Sequence, residues 1–132
     1  MFKKRVWSLD EVEFCLDEAG KRIEASKVLL DKGYYKDGVS RAYYSMYYAS
    51  KALLSIKGIE TKTHGGLILK IGGLIIEGVI EVEYGKVLAK AKDMRGVADY
   101  GMYKEFSTEE VKSLIEDAEK FLNRIERVIK EG

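Results

Sequence analysis

Apolar residues recur at steps of three and four in several segments of the chain, which is the periodicity of amphipathic helices. The first helix is predicted to begin at Ser8, where Glu11 completes a capping box, and to end at Gly33. The second is predicted to extend from about Tyr35 to Lys57 and to stop at Gly58. Their apolar stripes consist of Val12, Leu16, Ala19, Ile23 and Leu30 in the first helix, and of Val39, Ala42, Met46, Ala49, Leu53 and Ile56 in the second.

Two further helices are predicted in the second half of the chain. One extends from Tyr84 to about Ala98 and keeps a helical period through its apolar positions. The other begins at Ser107, where Glu110 completes a second capping box. Its apolar stripe consists of Val111, Leu114, Ala118, Phe121, Ile125 and Val128.

The segment between the second helix, which stops at Gly58, and the helix that begins at Tyr84 permits two interpretations. Apolar runs on both sides of Gly72 and Gly73 are typical of a β-hairpin with a two-residue turn. A helix is opposed by its glycines, each of which costs about 1 kcal/mol relative to Ala. Because a lone hairpin among helices leaves two unpaired edges, we favour the helix, whose glycines would let a neighbouring helix approach closely. Its apolar face would consist of Ile68, Ile71, Ile75 and Val79.

These helices predict an all-α fold, an antiparallel up-and-down four-helix bundle with an extra short helix. The chain has 132 residues, of which 46% are hydrophobic, and contains no repeat or linker. That length and composition suit one packed core, so we expect residues 1–132 to form a single helical domain.

Charge and composition narrow the classes of function. The formal net charge is +1, which argues against a dedicated nucleic-acid coat but leaves room for a local basic cleft. Cys15 is the single cysteine and His64 the single histidine, so one chain can form neither an internal disulfide nor a zinc site. The nucleotide-binding and hydrolase motifs with glycine-rich or HExxH spacing are absent, and no cofactor is indicated.

Location and source can also be predicted from the composition. The longest apolar stretch, 67–80, is interrupted by Lys70 and Glu77 and is shorter than the roughly 20 residues that cross a membrane. The N-terminus lacks the apolar region of a signal peptide, so we expect a soluble, cytoplasmic protein. The chain has no Pro and a single Asn, Asn123, while Lys and Glu abound, which favours a thermophilic source.

A cluster of tyrosines in the second helix is the first candidate for a binding surface. On a helix, Tyr44 and Tyr48 share one face with Arg41, while Tyr43 and Tyr47 share another. A basic and aromatic face can stack bases and hold phosphates. The same pattern also fits tyrosines that lie half in the core or line a dimer interface.

Two polar positions outside the tyrosine cluster are the other candidates. If a helix begins after Thr63, that residue is its cap, and His64 is a polar group beside backbone N–H groups that favour an anion. His64 can be structural or catalytic. Arg95 and Asp99 are spaced to pair on a helix, and an arginine fixed by a carboxylate is a good phosphate clamp. An ordinary ion pair before the stop at Gly101 explains the same spacing.

Four motifs occur along the chain in the order Arg41-x-x-Tyr44, Ala49-x-x-Ala52-Leu53-Leu54, Thr63-His64 and Arg95-x-x-x-Asp99-Tyr100. This order resembles that of the prokaryotic HEPN-domain proteins, in particular their small stand-alone branch. The resemblance spans nearly the whole chain and implies a four-helix bundle that is frequently a homodimer. Members are often encoded beside a minimal nucleotidyltransferase, and many such pairs are toxin–antitoxin systems.

The resemblance also implies where chemistry would lie. Active HEPN toxins are metal-independent ribonucleases with an Arg-x4–6-His motif at the dimer cleft. Arg95 matches the arginine, but Tyr100 stands where a histidine is expected, and Met102 stands where some toxins carry a tyrosine that the partner modifies. Tyr100 is a poor base at neutral pH because a tyrosine pKa is near 10, and pairing with Arg95 would neutralise Asp99. The ribonuclease motif is therefore degenerate.

Three hypotheses follow. The first is a HEPN-like domain that binds nucleotide or RNA phosphate, acts with a minimal nucleotidyltransferase and has little or no catalytic activity. The second is an active metal-independent endoribonuclease that uses Arg95 with His64. The third is a purely structural dimerisation module. The phosphate-binding candidates are Arg95, Arg41, Tyr44 and Tyr48, and the catalytic candidates are Arg95, His64, Asp99 and Tyr100.

Overall fold

The computed structural model describes residues 2–131, with side chains from Leu9 onward. All regular secondary structure in that range is helical, which confirms the all-α prediction of a bundle with one shorter helix. In chain order the helices are α1 (Phe2–Asp31), α2 (Tyr35–Ile56), α3 (His64–Ile76), α4 (Val82–Tyr100) and α5 (Thr108–Glu131).

Helix α2 lies at the centre of the bundle and contacts each of the other four helices. Helix α1 also packs on α5, and α3 also packs on α4. Apolar side chains from all five helices form the core, because each helix turns its apolar stripe inward. Its largest fully buried side chains are Tyr43, Phe121, Met46, Leu53, Leu54, Leu67, Ile71, Leu88, Leu114 and Ile125.

The helix ends follow local hydrogen bonding. Gly33 and Gly58 have φ angles of 82° and 72°, and both end a helix at the predicted position. After Gly58, the N–H of Ile59 donates back to the carbonyl of Leu54 at 2.9 Å, which is the Schellman pattern. The predicted capping box before α5 is also confirmed. There the Glu110 N–H donates to Ser107 Oγ at 3.1 Å, and the Ser107 N–H donates to Glu110 Oε1 at 3.0 Å.

Three predicted helix boundaries are wrong. Helix α1 begins at Phe2 rather than at Ser8, since residues 2–7 contain no Gly or Pro that would stop a helix. Ser8 therefore does not begin the helix, and its side chain lies outside those that the structure describes. Helix α4 is longer than predicted at both ends, because it begins at Val82 and continues to Tyr100.

The segment around Gly72 and Gly73, which the sequence allowed to be a helix or a β-hairpin, is the helix α3, as we favoured. The side chains it buries differ from the predicted face, because Val79 lies beyond the end of α3 and Ile68 and Ile75 are only partly buried. The buried residues of α3 are Leu67, Ile71 and Leu74. Within residues 2–131, none of the helices has the length and apolar character needed to cross a bilayer.

The close approach of α3 and α4 occurs at Gly85 of α4, not at the glycines of α3. A Cβ added at Gly85 would lie 2.5 Å from Cδ1 of Ile75. At Gly72 and Gly73 an added Cβ would meet nothing within 4 Å. The predicted role of the α3 glycines in helix packing is therefore wrong.

This difference between glycines predicts opposite effects on stability. Gly72→Ala should raise the free energy of unfolding by up to about 1 kcal/mol, because Ala is the better helix former and the space is open. Gly58→Ala should lower it by about 1 kcal/mol, because a side chain is strained at a φ of 72°. Urea denaturation of the two variants measures both changes. Destabilisation by Gly72→Ala would contradict the open face of α3.

Candidate functional site

A groove of about 460 Å³ lies between α2 and α4. We call it the Arg95 groove. It contains two arginines and two aspartates, so cations and carboxylates face the same space. The lining residues are Leu29, Asp37, Ser40, Arg41, Tyr44, Arg95 and Asp99. The fold therefore gathers Arg41, Tyr44, Arg95 and Asp99, which the sequence had singled out separately.

The guanidinium of Arg95 is held in place by groups on α2 and α4. Its Nη2 donates to Tyr44 Oη at 3.1 Å, and its Nε lies 2.9 Å from Asp99 Oδ2. The buried Nε–H does not point at the carboxylate, so this second contact is an ion pair rather than a directed hydrogen bond. The predicted pairing of Arg95 with Asp99 is confirmed. Asp99 in turn accepts a hydrogen bond from Ser40 Oγ at 3.3 Å.

Aromatic rings lie under the same guanidinium. Its Cζ is 5.3 Å from the ring centre of Tyr44 and 5.8 Å from that of Tyr43. Contacts of this kind between a cation and a ring face add attraction, most of all where water is excluded. Arg95 is thus ordered before any ligand arrives, and its remaining N–H groups can be offered to an anion.

His64 is packed into the tyrosine cluster of α2, next to Arg95. Its Nδ1 lies 2.5 Å from Tyr43 Oη, and its ring is stacked on that of Tyr47 with centres 4.5 Å apart. The Tyr44 ring meets it edge-on at 5.7 Å. We call these three rings, Tyr43, Tyr44 and Tyr47, the tyrosine cage. Both His64 and Arg95 therefore contact Tyr43 and Tyr44.

Helix α3 begins in a way that positions His64. The Thr63 side chain accepts a hydrogen bond from the Gly66 N–H at 2.9 Å, as predicted for a cap. His64 is consequently the first residue of α3.

The surroundings of these side chains shift two pKa values. Burial lowers the pKa of His64 because it disfavours the imidazolium, and the positive charges of Arg95, Lys92 and Lys51 lower it further. Burial raises the pKa of Tyr43 to about 12, although Arg95 opposes the shift. At neutral pH the pair is therefore a neutral imidazole and a protonated phenol.

Two predicted residues lie apart from the Arg95 groove. Tyr48 faces α1, where the Phe14 ring is 6.5 Å away and the Arg22 Cζ lies 5.3 Å from its ring centre. Tyr100, at the end of α4, is 82% exposed. The structure brings together Arg41, Tyr44, Arg95, Asp99 and, through the tyrosine cage, His64.

Sequence reasoning missed two contacts at the site. Ser40 bonds Asp99, and its position one helical turn before Tyr44 is the signal that could have indicated it. Lys36 Nζ donates to the Gly101 carbonyl at 3.4 Å, and no local pattern indicates that contact.

The fold and site together define a helical bundle with an ordered arginine in a groove between two helices. The sequence matches the HEPN domain over residues 12–128, so the chain belongs to the HEPN family. It is 37% identical over 123 residues to a protein of Methanocaldococcus jannaschii named "Putative toxin MJ0605", covering 92% of this chain and 91% of that protein.

Two further relatives match over similar lengths. A second protein of Methanocaldococcus jannaschii, "Putative toxin MJ0142", is 34% identical over 120 residues, with 90% of this chain and 82% of that protein covered. A UPF0332 protein of Archaeoglobus fulgidus is 33% identical over 121 residues, with 92% and 97% covered. The relatives named as toxins come from a thermophile.

Proposed function

We propose that the Arg95 groove binds the phosphate of an RNA or a nucleotide, and that the chain is a toxin-like partner of a minimal nucleotidyltransferase. The observation that carries the proposal is the guanidinium of Arg95, which Tyr44 and Asp99 hold in a groove that Arg41 also lines. The names of the relatives from Methanocaldococcus jannaschii support the toxin-like role.

A phosphate suits this site for a chemical reason. The planar guanidinium presents parallel N–H groups that match two phosphate oxygens, and such charge-assisted bonds are about twice as strong as neutral ones. Tyr44 and Asp99 already restrict the Arg95 side chain, so binding loses less conformational freedom than it would with a free arginine. Nearby tyrosine rings can stack on bases.

The carboxylate of Asp99 sets the strength of binding. It competes with an incoming phosphate for Arg95, and Asp37 adds a second negative charge at the groove. Arg41 offsets part of this repulsion. We therefore propose a binding site of modest affinity that depends on salt, in line with the net charge of +1.

The remaining parts of the proposal concern assembly and location. A homodimer would place two Arg95 grooves in one particle, and the partner nucleotidyltransferase would act on or cover the same surface. Both proteins would work in the cytoplasm of a thermophile. A minimal nucleotidyltransferase gene next to the gene for this chain would support the partnership.

Binding of the wild-type protein to RNA tests the proposed function. Fluorescence anisotropy of a labelled single-stranded RNA should show saturable binding that weakens steeply as salt rises. Calorimetry with ATP gives the matching measurement for a free nucleotide. In the presence of EDTA the bound RNA should stay intact on a gel. The proposal fails if neither RNA nor ATP binds at low salt.

A further inference from the structure

We infer that Tyr43 holds His64 in the tautomer that carries its proton on Nε2, so that His64 presents a hydrogen-bond donor, and not a base, beside the Arg95 groove. The acceptor of this hydrogen bond would be a phosphate oxygen, and this part of the inference rests on the proposed function. The tautomer itself rests only on the contact between Tyr43 and His64.

The direction of the hydrogen bond follows from the burial of Tyr43. Its side chain is 0% exposed, and within the described part of the chain its hydroxyl has Nδ1 of His64 as its hydrogen-bond partner. If Nδ1 carried the proton and donated it, the phenolic O–H would have no acceptor in a place that solvent does not reach. Buried donors are almost always paired, so the Tyr43 hydroxyl donates and Nδ1 accepts.

The proton of the neutral ring must then be on Nε2. A neutral imidazole has one N–H, and the hydrogen bond made at one nitrogen decides which nitrogen carries it. Among the side chains that the structure describes, Nε2 has no hydrogen-bond partner, and it is not one of the buried polar atoms that lack one, because His64 is partly exposed. This N–H is therefore free to meet a ligand.

The surroundings of the ring keep it neutral and in one orientation. Tyr47 is stacked against one face and the Tyr44 ring stands edge-on, so a flip of the imidazole would break the Tyr43 contact without a replacement. Among the side chains that the structure describes, the charged groups that shift the pKa of His64 are positive and oppose a second proton. They are Arg95 and Lys92 from α4 and Lys51 from α2.

This arrangement assigns a binding role to His64. A base for a 2′-hydroxyl needs an accessible nitrogen with a free lone pair, whereas here that lone pair is at Nδ1 and is occupied by Tyr43. A neutral N–H at Nε2 can instead donate to a phosphate oxygen that Arg95 also holds. The ribonuclease hypothesis with His64 as the base is thereby disfavoured, and Tyr43 becomes a positioning residue for the site.

Nitrogen NMR of the imidazole tests the tautomer directly, because His64 is the single histidine and gives one set of signals. In wild-type protein labelled with ¹⁵N-histidine at about pH 8, where the ring is neutral, Nδ1 should have the shift of an unprotonated nitrogen and Nε2 that of a protonated one. In Tyr43→Phe the donor to Nδ1 is gone, so the two tautomers should mix and both nitrogen signals should move toward each other. Burial and the charges of Arg95, Lys92 and Lys51 remain in this variant, so the pKa of His64 should stay below its usual value.

The matched control is Tyr35→Phe on the same helix, whose hydroxyl bonds Thr108 at 2.9 Å and not His64. It should leave tautomer and pKa unchanged. A wild-type ring protonated at Nδ1 overturns the inference, as does a Tyr43→Phe protein that is folded by circular dichroism and has unchanged signals. If Tyr43→Phe does not fold, the wild-type spectrum alone decides.

An uncleavable RNA with 2′-O-methyl groups tests the donor role. Its addition should shift the Nε2–H signal of the wild-type protein. If this RNA binds by anisotropy but leaves the signal in place, the donor role is wrong while the proposed function survives. If no RNA binds, the proposed function and the donor role are both wrong. The tautomer is still decided by the NMR spectrum of the protein without RNA.

Discussion

Arg95→Ala should weaken the binding of single-stranded RNA by roughly 10- to 100-fold, because a hydrogen bond to a charged group contributes about 1.5–3 kcal/mol. The loss should exceed that of most surface arginines, since Tyr44 and Asp99 hold this guanidinium in the groove before the ligand arrives. Fluorescence anisotropy over a series of salt concentrations measures the change. The slope of log affinity against log salt should fall by about one, as expected for one lost phosphate contact.

Arg127→Ala is the control for the Arg95 variant. Arg127 is exposed on α5, so its removal changes the net charge equally without touching the groove. It should change the affinity by a factor of about two at most, the scale of ordinary surface substitutions. Arg95→Lys keeps the positive charge but loses the planar guanidinium. Its affinity for RNA should therefore lie between those of the wild type and Arg95→Ala. Equal losses for Arg95→Ala and Arg127→Ala would show unspecific attraction and contradict the assignment of the groove.

Phe121→Ala should lower the free energy of unfolding by about 3–5 kcal/mol, the range for removing a buried aromatic side chain. Phe121 is fully buried on α5, and its ring meets that of Tyr84 edge-on with centres 6.1 Å apart. The substitution therefore removes buried apolar surface and leaves a cavity between α4 and α5. Guanidinium denaturation followed by circular dichroism measures the loss.

Ile76→Ala is the matched control for Phe121→Ala. Ile76 is 89% exposed at the end of α3, so its truncation should change stability by no more than about 0.5 kcal/mol. A loss below about 1 kcal/mol for Phe121→Ala would contradict the packing of α5 on the bundle, because truncating a large buried side chain to Ala costs at least about 2 kcal/mol.

The helix ends could be predicted because they depend on a few consecutive residues. Gly58 adopts a positive φ that other residues avoid, and Ser107 with Glu110 closes two hydrogen bonds within one turn. The start of α1 was mispredicted for the same local reason. A capping pair also occurs inside helices, and nothing before Ser8 forces the helix to begin there.

The site was only partly predictable. The spacing of Arg95 and Asp99 sufficed to predict their ion pair, because both lie on one helix one turn apart. The contact between Tyr43 and His64 joins α2 to α3, and it depends on how these two helices pack. Periodicity gave Tyr44 and Tyr48 a common face, yet Tyr44 contacts Arg95 of α4 while Tyr48 contacts α1. A central helix surrounded by four others turns neighbouring positions toward different partners.

The dispersed origin of the groove has a consequence for fragments of the protein. A peptide cut from α4 would retain the arginine and its aspartate but would lack the rings of Tyr43 and Tyr44, which α2 supplies. A peptide cut from α2 would carry those rings without the cation. The proposed phosphate binding would thus be a property of the assembled tertiary structure, and we expect any truncation that detaches α4 from α2 to abolish it even where each helix persists.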